Sequence, residues 1–276
     1  MTSKHAPIDG VRMRWEERGA GTPVVLVHGI PTSPALWRHV TPLLSQARTL
    51  AWEMVGYGDS MLEGHGRDIS VARQAEYLAA WLRELEIGPA ILVGHDLGGG
   101  VVQIAAVRAP ERCAGLVLVN SISYDSWPIA PVKAIRAAGA FVERLPRQAL
   151  RGMLAPLFFL GHDDPARRRE SFELHWKPYR AAGPAAFVRQ VRSLDVRDTL
   201  GVAPRLSGLD VPARVVWGVA DRFQPVRYGA RLARDLDAPL RRIEGARHFV
   251  PEDHPAEVAA AVQELLREQG VRRAAG

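Results

Sequence analysis

The sequence predicts an α/β fold class: a mostly parallel central sheet flanked by helices, with a helical cap inserted between two strands. Three observations predict it. Short, continuous apolar runs bounded by Gly or Pro recur along the chain, as strands buried on both faces require. Between them lie stretches with apolar residues at helical spacing. The alternation breaks once, from about residue 122 to 211, in a segment rich in Ala, Arg and Pro. The chain therefore reads as a core of residues 1–121 and 212–276 and a helical cap of residues 122–211.

In chain order, Val24-Val25-Leu26-Val27, between Pro23 and Gly29, is the first buried strand. Ile69, Ala72, Ala75, Leu78, Leu82 and Leu85 then mark one face of a helix, with Ser70 or Asp68 capping its start. Ala90–Val93 before Gly94 is a second strand, and Leu116–Val119 after Gly115 a third. The helix between them, Leu97–Arg108, is apolar nearly all round and so should be buried. Beyond the cap, Arg214–Gly218 reads as a strand, Tyr228–Leu236 as a helix and Leu240–Ile243 as a strand. Pro255–Arg267 follows as an amphipathic helix, and Val271–Gly276 as a frayed tail.

Composition narrows the function classes. With 276 residues, 47% of them hydrophobic and 24% charged, the chain is long enough to bury a core without staples. Its single cysteine, Cys113, excludes an internal disulfide framework and a Cys-rich zinc site, and reads as a small buried hydrophobe. No apolar run approaches the roughly 20 residues of a membrane span. Met1–His5 lack the apolar stretch of a secretory signal, so the expected compartment is the cytoplasm and no membrane partner is expected. The net charge is +6, and residues 133–205 alone hold 14 Lys/Arg against 7 Asp/Glu. That segment carries no nucleic-acid motif; its charge reads as a solvated basic face with at most a pull on anionic substrates.

In a parallel sheet the ligand sits at the carboxyl ends of the strands, and three strand ends carry groups that fit together. The first is Val93-Gly94-His95-Asp96-Leu97-Gly98-Gly99-Gly100, where small residues two before and two after Asp96 permit a sharp strand-to-helix turn that exposes the central side chain. A carboxylate stands where a serine elbow has its hydroxyl. The second is Asp221, just past Trp217-Gly218; the third is His248, in the loop after the last strand.

These segments, with His28-Gly29-Ile30-Pro31 and Gly56-Tyr57-Gly58-Asp59-Ser60, resemble the α/β-hydrolase superfamily, and within it the Asp-nucleophile branch of epoxide hydrolases and haloalkane dehalogenases. The resemblance covers about residues 10–120 and 210–268 and implies the α/β-hydrolase fold, with its chain order of nucleophile, acid and histidine. A carboxylate can attack an sp³ carbon and form an alkyl-enzyme ester. His248 would activate the water that cleaves it, Asp221 would orient the imidazole, and the backbone N–H groups of Ile30 and Leu97 would form the oxyanion hole. His28 and Trp37 are expected to border the substrate pocket, and His28 and His95 to tune loop packing rather than act directly.

The leaving group separates the alternatives. The resemblance to epoxide hydrolases implies cap tyrosines as acids; Tyr179, well inside the cap, is the better candidate and Tyr124, near its entry, the other. The resemblance to dehalogenases implies a Trp directly after the nucleophile and an Asn after the His-Gly pair. Leu97 and Ile30 stand there instead, so Trp127 or Trp176 would have to supply an N–H. Fluoroacetate dehalogenases place arginines beside the nucleophile, where this chain has Leu97 and Gly100. Apolar Leu97, Ile30 and Trp37 point to a greasy pocket, while the basic cap hints at polar or anionic substrates. The expected function is epoxide hydrolysis to a vicinal diol, with haloalkane or haloacid dehalogenation as the alternative. A non-hydrolytic biosynthetic enzyme or a small-molecule receptor is the alternative of another class; it would tolerate Asp96→Asn, which alkyl-ester chemistry would not. The expected partner is a small-molecule substrate, with no cofactor, metal or nucleic acid, on a monomer or homodimer.

Overall fold

The computed structural model describes the backbone of residues 1–275 and the side chains through Val271. Eight strands form one sheet in the order β1-β2-β4-β3-β5-β6-β7-β8: β1 Thr2–Ile8, β2 Val11–Arg18, β3 Thr22–Val27, β4 Ala47–Trp52, β5 Ala90–Asp96, β6 Cys113–Ser121, β7 Ala213–Gly218 and β8 Leu240–Ile243. From β4 to β8 every pairing is parallel; β1 with β2, and β2 with β4, are antiparallel.

The apolar runs are the inner strands because both their faces are covered. Val25, Leu92 and Leu118 face a core built with helices α1 (Val71–Glu84) and α2 (Leu97–Arg108). Their neighbours Leu26, Val93 and Val119 face the opposite core, with Val258, Val262 and Leu265 of the C-terminal helix Pro255–Ala275. The period-two alternation thus feeds two layers at once. The Ser70 hydroxyl caps α1 by accepting from the Arg73 N–H, and Asp68 in turn accepts from the Ser70 N–H. Cys113 is buried, which pushes its thiol up to about 12.

The structure adds two elements and lengthens a third. Residues 1–23 carry a hairpin that the sequence reading passed over. Its signal is Asp9-Gly10, both at positive φ, joining strands whose Val11, Met13 and Trp15 point inward at every second position. β4 was also passed over, because Arg48 and Thr49 interrupt its apolar run. The tail does not fray from Val271: the last helix continues to Ala275, and Gly276 lies outside the described residues.

Between β6 and β7 the regular elements are all helical: α3 Ala130–Ala137, α4 Gly139–Val142, α5 Arg147–Gly161, α6 Pro165–Ala182, α7 Pro184–Arg192, α8 Arg197–Leu200 and α9 Ala203–Leu206. After β7 come α10 Val226–Asp235, α11 Val250–Asp253 and α12 Pro255–Ala275. Among the described residues, no helix is long and apolar enough to cross a membrane.

The helical segment is fastened to the core by a buried polar cluster around Glu252, in α11. His175 of α6 and His162, at the end of α5, reach its two carboxylate oxygens at 3.2 and 3.3 Å, and Arg38 reaches it from the core. Beside it, His162 Nδ1 lies 2.8 Å from Asp253 and His254 Nε2 lies 2.8 Å from Asp163. These histidines had no context in the linear sequence. Burial alone would raise the Glu252 carboxyl, but His175, Arg38 and His162 outweigh it and hold it at about 2.

Removing one partner from such a cluster leaves the others buried and uncompensated. Glu252→Gln should therefore cost about 3–5 kcal/mol, read as a lower urea midpoint. The sign with pH follows from the depressed carboxyl. Its contribution is complete above the ordinary value of 4.5 and is lost as pH falls toward 2. The variant should show a flatter loss of stability over that range.

Candidate active site

The site begins with a turn that few residues permit. β5 ends at Asp96 and α2 starts at Leu97, so the chain reverses through one residue, at φ 50° and ψ −121°. The geometry forces small neighbours. A Cβ at Gly94 would lie 2.4 Å from the Gly98 carbonyl oxygen, and one at Gly98 would lie 2.1 Å from the Val27 carbonyl oxygen. Close packing of α2 on β3 and β5 thus fixes Asp96 at the top of the sheet, at the positive end of a helix.

His248 and Asp221 arrive from neighbouring strand ends. His248 Nδ1 lies 2.8 Å from Asp221 Oδ2, and since a carboxylate only accepts, Nδ1 carries the proton. That leaves Nε2 facing Asp96 Oδ1 at 3.8 Å. The other Asp96 oxygen, Oδ2, accepts from the Ile30 N–H at 3.0 Å. The two carboxylate oxygens are thereby distinguished: one is held by the expected oxyanion donor, the other is turned toward His248.

The electrostatics follow from burial and neighbours. Burial raises the Asp96 carboxyl; His248 and the amides of Ile30 and Leu97 pull it back only in part. Burial would lower His248, but the charge and hydrogen bond of Asp221, with Asp96 adding, raise it above its usual 6.5. His95 is buried and held well below that value, its Nε2 2.9 Å from the His248 carbonyl oxygen, to which it must donate.

The sequence reading missed Asn120. It sits buried at the end of β6 in the left-handed region, φ 39°, which Asn tolerates better than most residues. Its Nδ2 donates to Asp221 Oδ2 at 2.6 Å and its Oδ1 accepts from the Gly218 N–H at 3.1 Å. With the Phe223 N–H donating to Oδ1 at 2.7 Å, Asp221 is held on both oxygens. An Asn ending an apolar strand run was the available signal.

Asp96 and His248 open into one pocket. Its walls are Ile30, Leu97, Ile122, Phe187, Leu194 and Phe223, with Trp127, Phe249 and other apolar neighbours. Among the described residues that line it, the polar side chains besides Trp127 are Asp96, His248 and Gln224, which the sequence does not single out. No Lys or Arg lines it, so the basic side chains of the helical segment do not border Asp96 and His248.

Several expected contacts fall elsewhere. Tyr124, at φ 48°, turns outward and donates to Asp235 of α10 at 2.7 Å. Tyr179 stacks edge-on against Phe187 and donates to Gln190 at 2.7 Å, so it stands behind the wall. Trp127 does line the pocket, but its indole N–H is taken by Thr199 at 2.7 Å. Trp176 packs near Arg151, outside the lining. Trp37 is buried in the opposite core and His28 in the loop beneath, where its Nε2 accepts from the Met54 N–H. Neither borders the pocket; His28 serves loop packing instead.

Comparisons place this geometry among known proteins. Residues 24–261 match the profile described as the alpha/beta hydrolase family. A crystal structure of an alpha/beta hydrolase fold protein from Burkholderia ambifaria superposes with a TM-score of 0.88 at 30% identity, covering 95% of this chain and 97% of that one. Haloalkane dehalogenase 2 of Mycobacterium tuberculosis is 29% identical over 269 residues, 92% of this chain and 91% of its own. Bifunctional epoxide hydrolase 2 of Sus scrofa is 35% identical over 135 residues, 48% of this chain but only 24% of its own length.

The raised His248 can be checked without a substrate. Followed by NMR, its ring should titrate above 6.5 in the native chain, because the Asp221 charge favours the imidazolium. Asp221→Asn should move that midpoint down; an unmoved midpoint would mean Asp221 does not set the basicity of His248.

Proposed function

The chain belongs to the alpha/beta hydrolase family, and from that premise we propose that it cleaves a carbon–heteroatom bond at an sp³ carbon through an ester on Asp96. One observation carries this reading: the elbow holds a carboxylate whose oxygens are already divided between the Ile30 N–H, 3.0 Å away, and His248, 3.8 Å away.

The steps balance as follows. Asp96 Oδ1 bonds to the substrate carbon, and the leaving group departs with the bonding pair. Water then adds to the Asp96 carboxyl carbon while His248 Nε2 takes its proton, stabilised by Asp221. The negative charge forms on Oδ2, already against the Ile30 N–H, with Leu97 N–H beside it. Collapse expels the product oxygen, which takes the proton back from His248 and leaves Asp96 as the acid; release of that second water proton to solvent restores the Asp96 carboxylate.

Of the two leaving groups, the pocket supports the halide of an apolar haloalkane. An epoxide oxygen departs as a strongly basic alkoxide and needs an acid; the hydroxyls of Tyr124 and Tyr179 are committed to Asp235 and Gln190. A halide needs no proton. The apolar wall and the absence of Lys or Arg in it favour an uncharged substrate over a haloacid. The epoxide reading, which the sequence favoured, has no acid of this kind among the described residues that line the pocket: the Tyr57 phenol is buried outside the lining, and burial, with the Asp96 charge adding, raises it.

Intact mass of a His248→Gln variant decides between them, since the ester should form but not clear. Exposed to short haloalkanes, the protein should gain the alkyl group without the halogen, and Asp96→Asn should abolish the gain. A whole-epoxide adduct from matched epoxides, with none from haloalkanes, would return the reading to epoxide opening.

A further inference from the structure

Gln224 is not used by the steps above. It lies three residues beyond Asp221, is 2% exposed, and lines the same pocket as Asp96 and His248. Its backbone carbonyl anchors the segment by accepting from the Trp217 indole N–H at 2.8 Å. The side chain has no such duty: its Oε1 is buried and has no hydrogen-bond partner. A buried amide oxygen left unpaired is unfavourable and uncommon, and a ligand group is one thing that satisfies that end of the side chain. The surrounding wall is apolar, so the amide is the pocket's one neutral polar end outside the reacting groups.

We infer that the Gln224 side-chain amide is the hydrogen-bond donor for the departing atom of the substrate. The inference rests on Asp96 being the nucleophile. Oxygen and nitrogen of an amide exchange places by a half-turn of the last torsion with no change in shape, so the end can present N–H to an electron-rich atom. Leu97 and Ile30 have no donor in their side chains and the Trp127 N–H is engaged. An N–H aimed where charge develops, in a pocket that excludes water, strengthens as the carbon–halogen bond breaks. The substrate class is then an uncharged alkyl chain with one terminal halogen, or another leaving atom that accepts a hydrogen bond.

The test measures the rate of adduct formation in the His248→Gln background, with and without Gln224→Met, on matched alkyl chlorides, bromides and iodides. Met has similar volume and no donor. Gln224→Glu, which keeps the shape but replaces the N–H donors with oxygen, is the second variant should Met not fold; melting temperatures report folding. Alkylation should slow on the order of 100-fold for chlorides, and progressively less for bromides and iodides, whose departing ions gain less from a hydrogen bond. A packing role would slow all three alike. Adduct formed at the parent rate, or slowed equally for all three, overturns the assignment of Gln224 while leaving Asp96 as nucleophile. No adduct from any of the three halides in the His248→Gln parent itself removes the haloalkane reading, and this inference with it.

Discussion

The molecule is organised around a backbone reversal at Asp96. A single residue at φ 50° ends the central strand and starts a buried helix. That conformation is uncommon for a side chain other than Gly, and it persists only where the surroundings over-determine it. Here they do. The Gly94 and Gly98 backbones are in contact with neighbours that leave no room for a Cβ, and both faces of β5 are covered. The consequence is chemical. The carboxylate is lifted above the strand ends, given the Ile30 N–H on one oxygen and left facing His248 with the other.

A carboxylate held this way is balanced between burial and its neighbours. Burial works against its charge; His248 and two backbone amides work for it. The histidine is in turn held by Asp221, and Asp221 by Asn120 and the Phe223 N–H. Each buried polar group in this line has a partner, which is what an apolar surrounding demands. The Glu252 cluster stands at the junction with the helical segment, where it brings α5, α6 and Arg38 to one carboxylate.

The sheet and the candidate triad were legible because they rest on local constraints. Doubly covered strands must be continuously apolar, and the elbow must be flanked by Gly, so Val24–Val27, Ala90–Val93 and Gly94-His95-Asp96-Leu97-Gly98 announce themselves. The hairpin at Asp9-Gly10 was equally local, though its outer residues are exposed and carry no apolar run. What the linear pattern did not carry is side-chain direction. Whether Tyr179 faces a substrate or Gln190 depends on how α6 and α7 pack, and Tyr124 faces Asp235 because of a left-handed turn after β6. Gln224 and the histidines near Glu252 gain meaning only from elements far apart in the chain.

The ester mechanism requires that Asp96 itself bonds to the substrate, rather than directing a water at it. A single turnover in heavy-oxygen water, followed by digestion and mass analysis, tests this directly on any substrate that is turned over. If Asp96 is the nucleophile, its own oxygen leaves with the product of the first turnover, and the solvent oxygen is found in the peptide that contains Asp96. If instead the first product carries the solvent label and that peptide does not, Asp96 acts as a base and the ester mechanism is wrong.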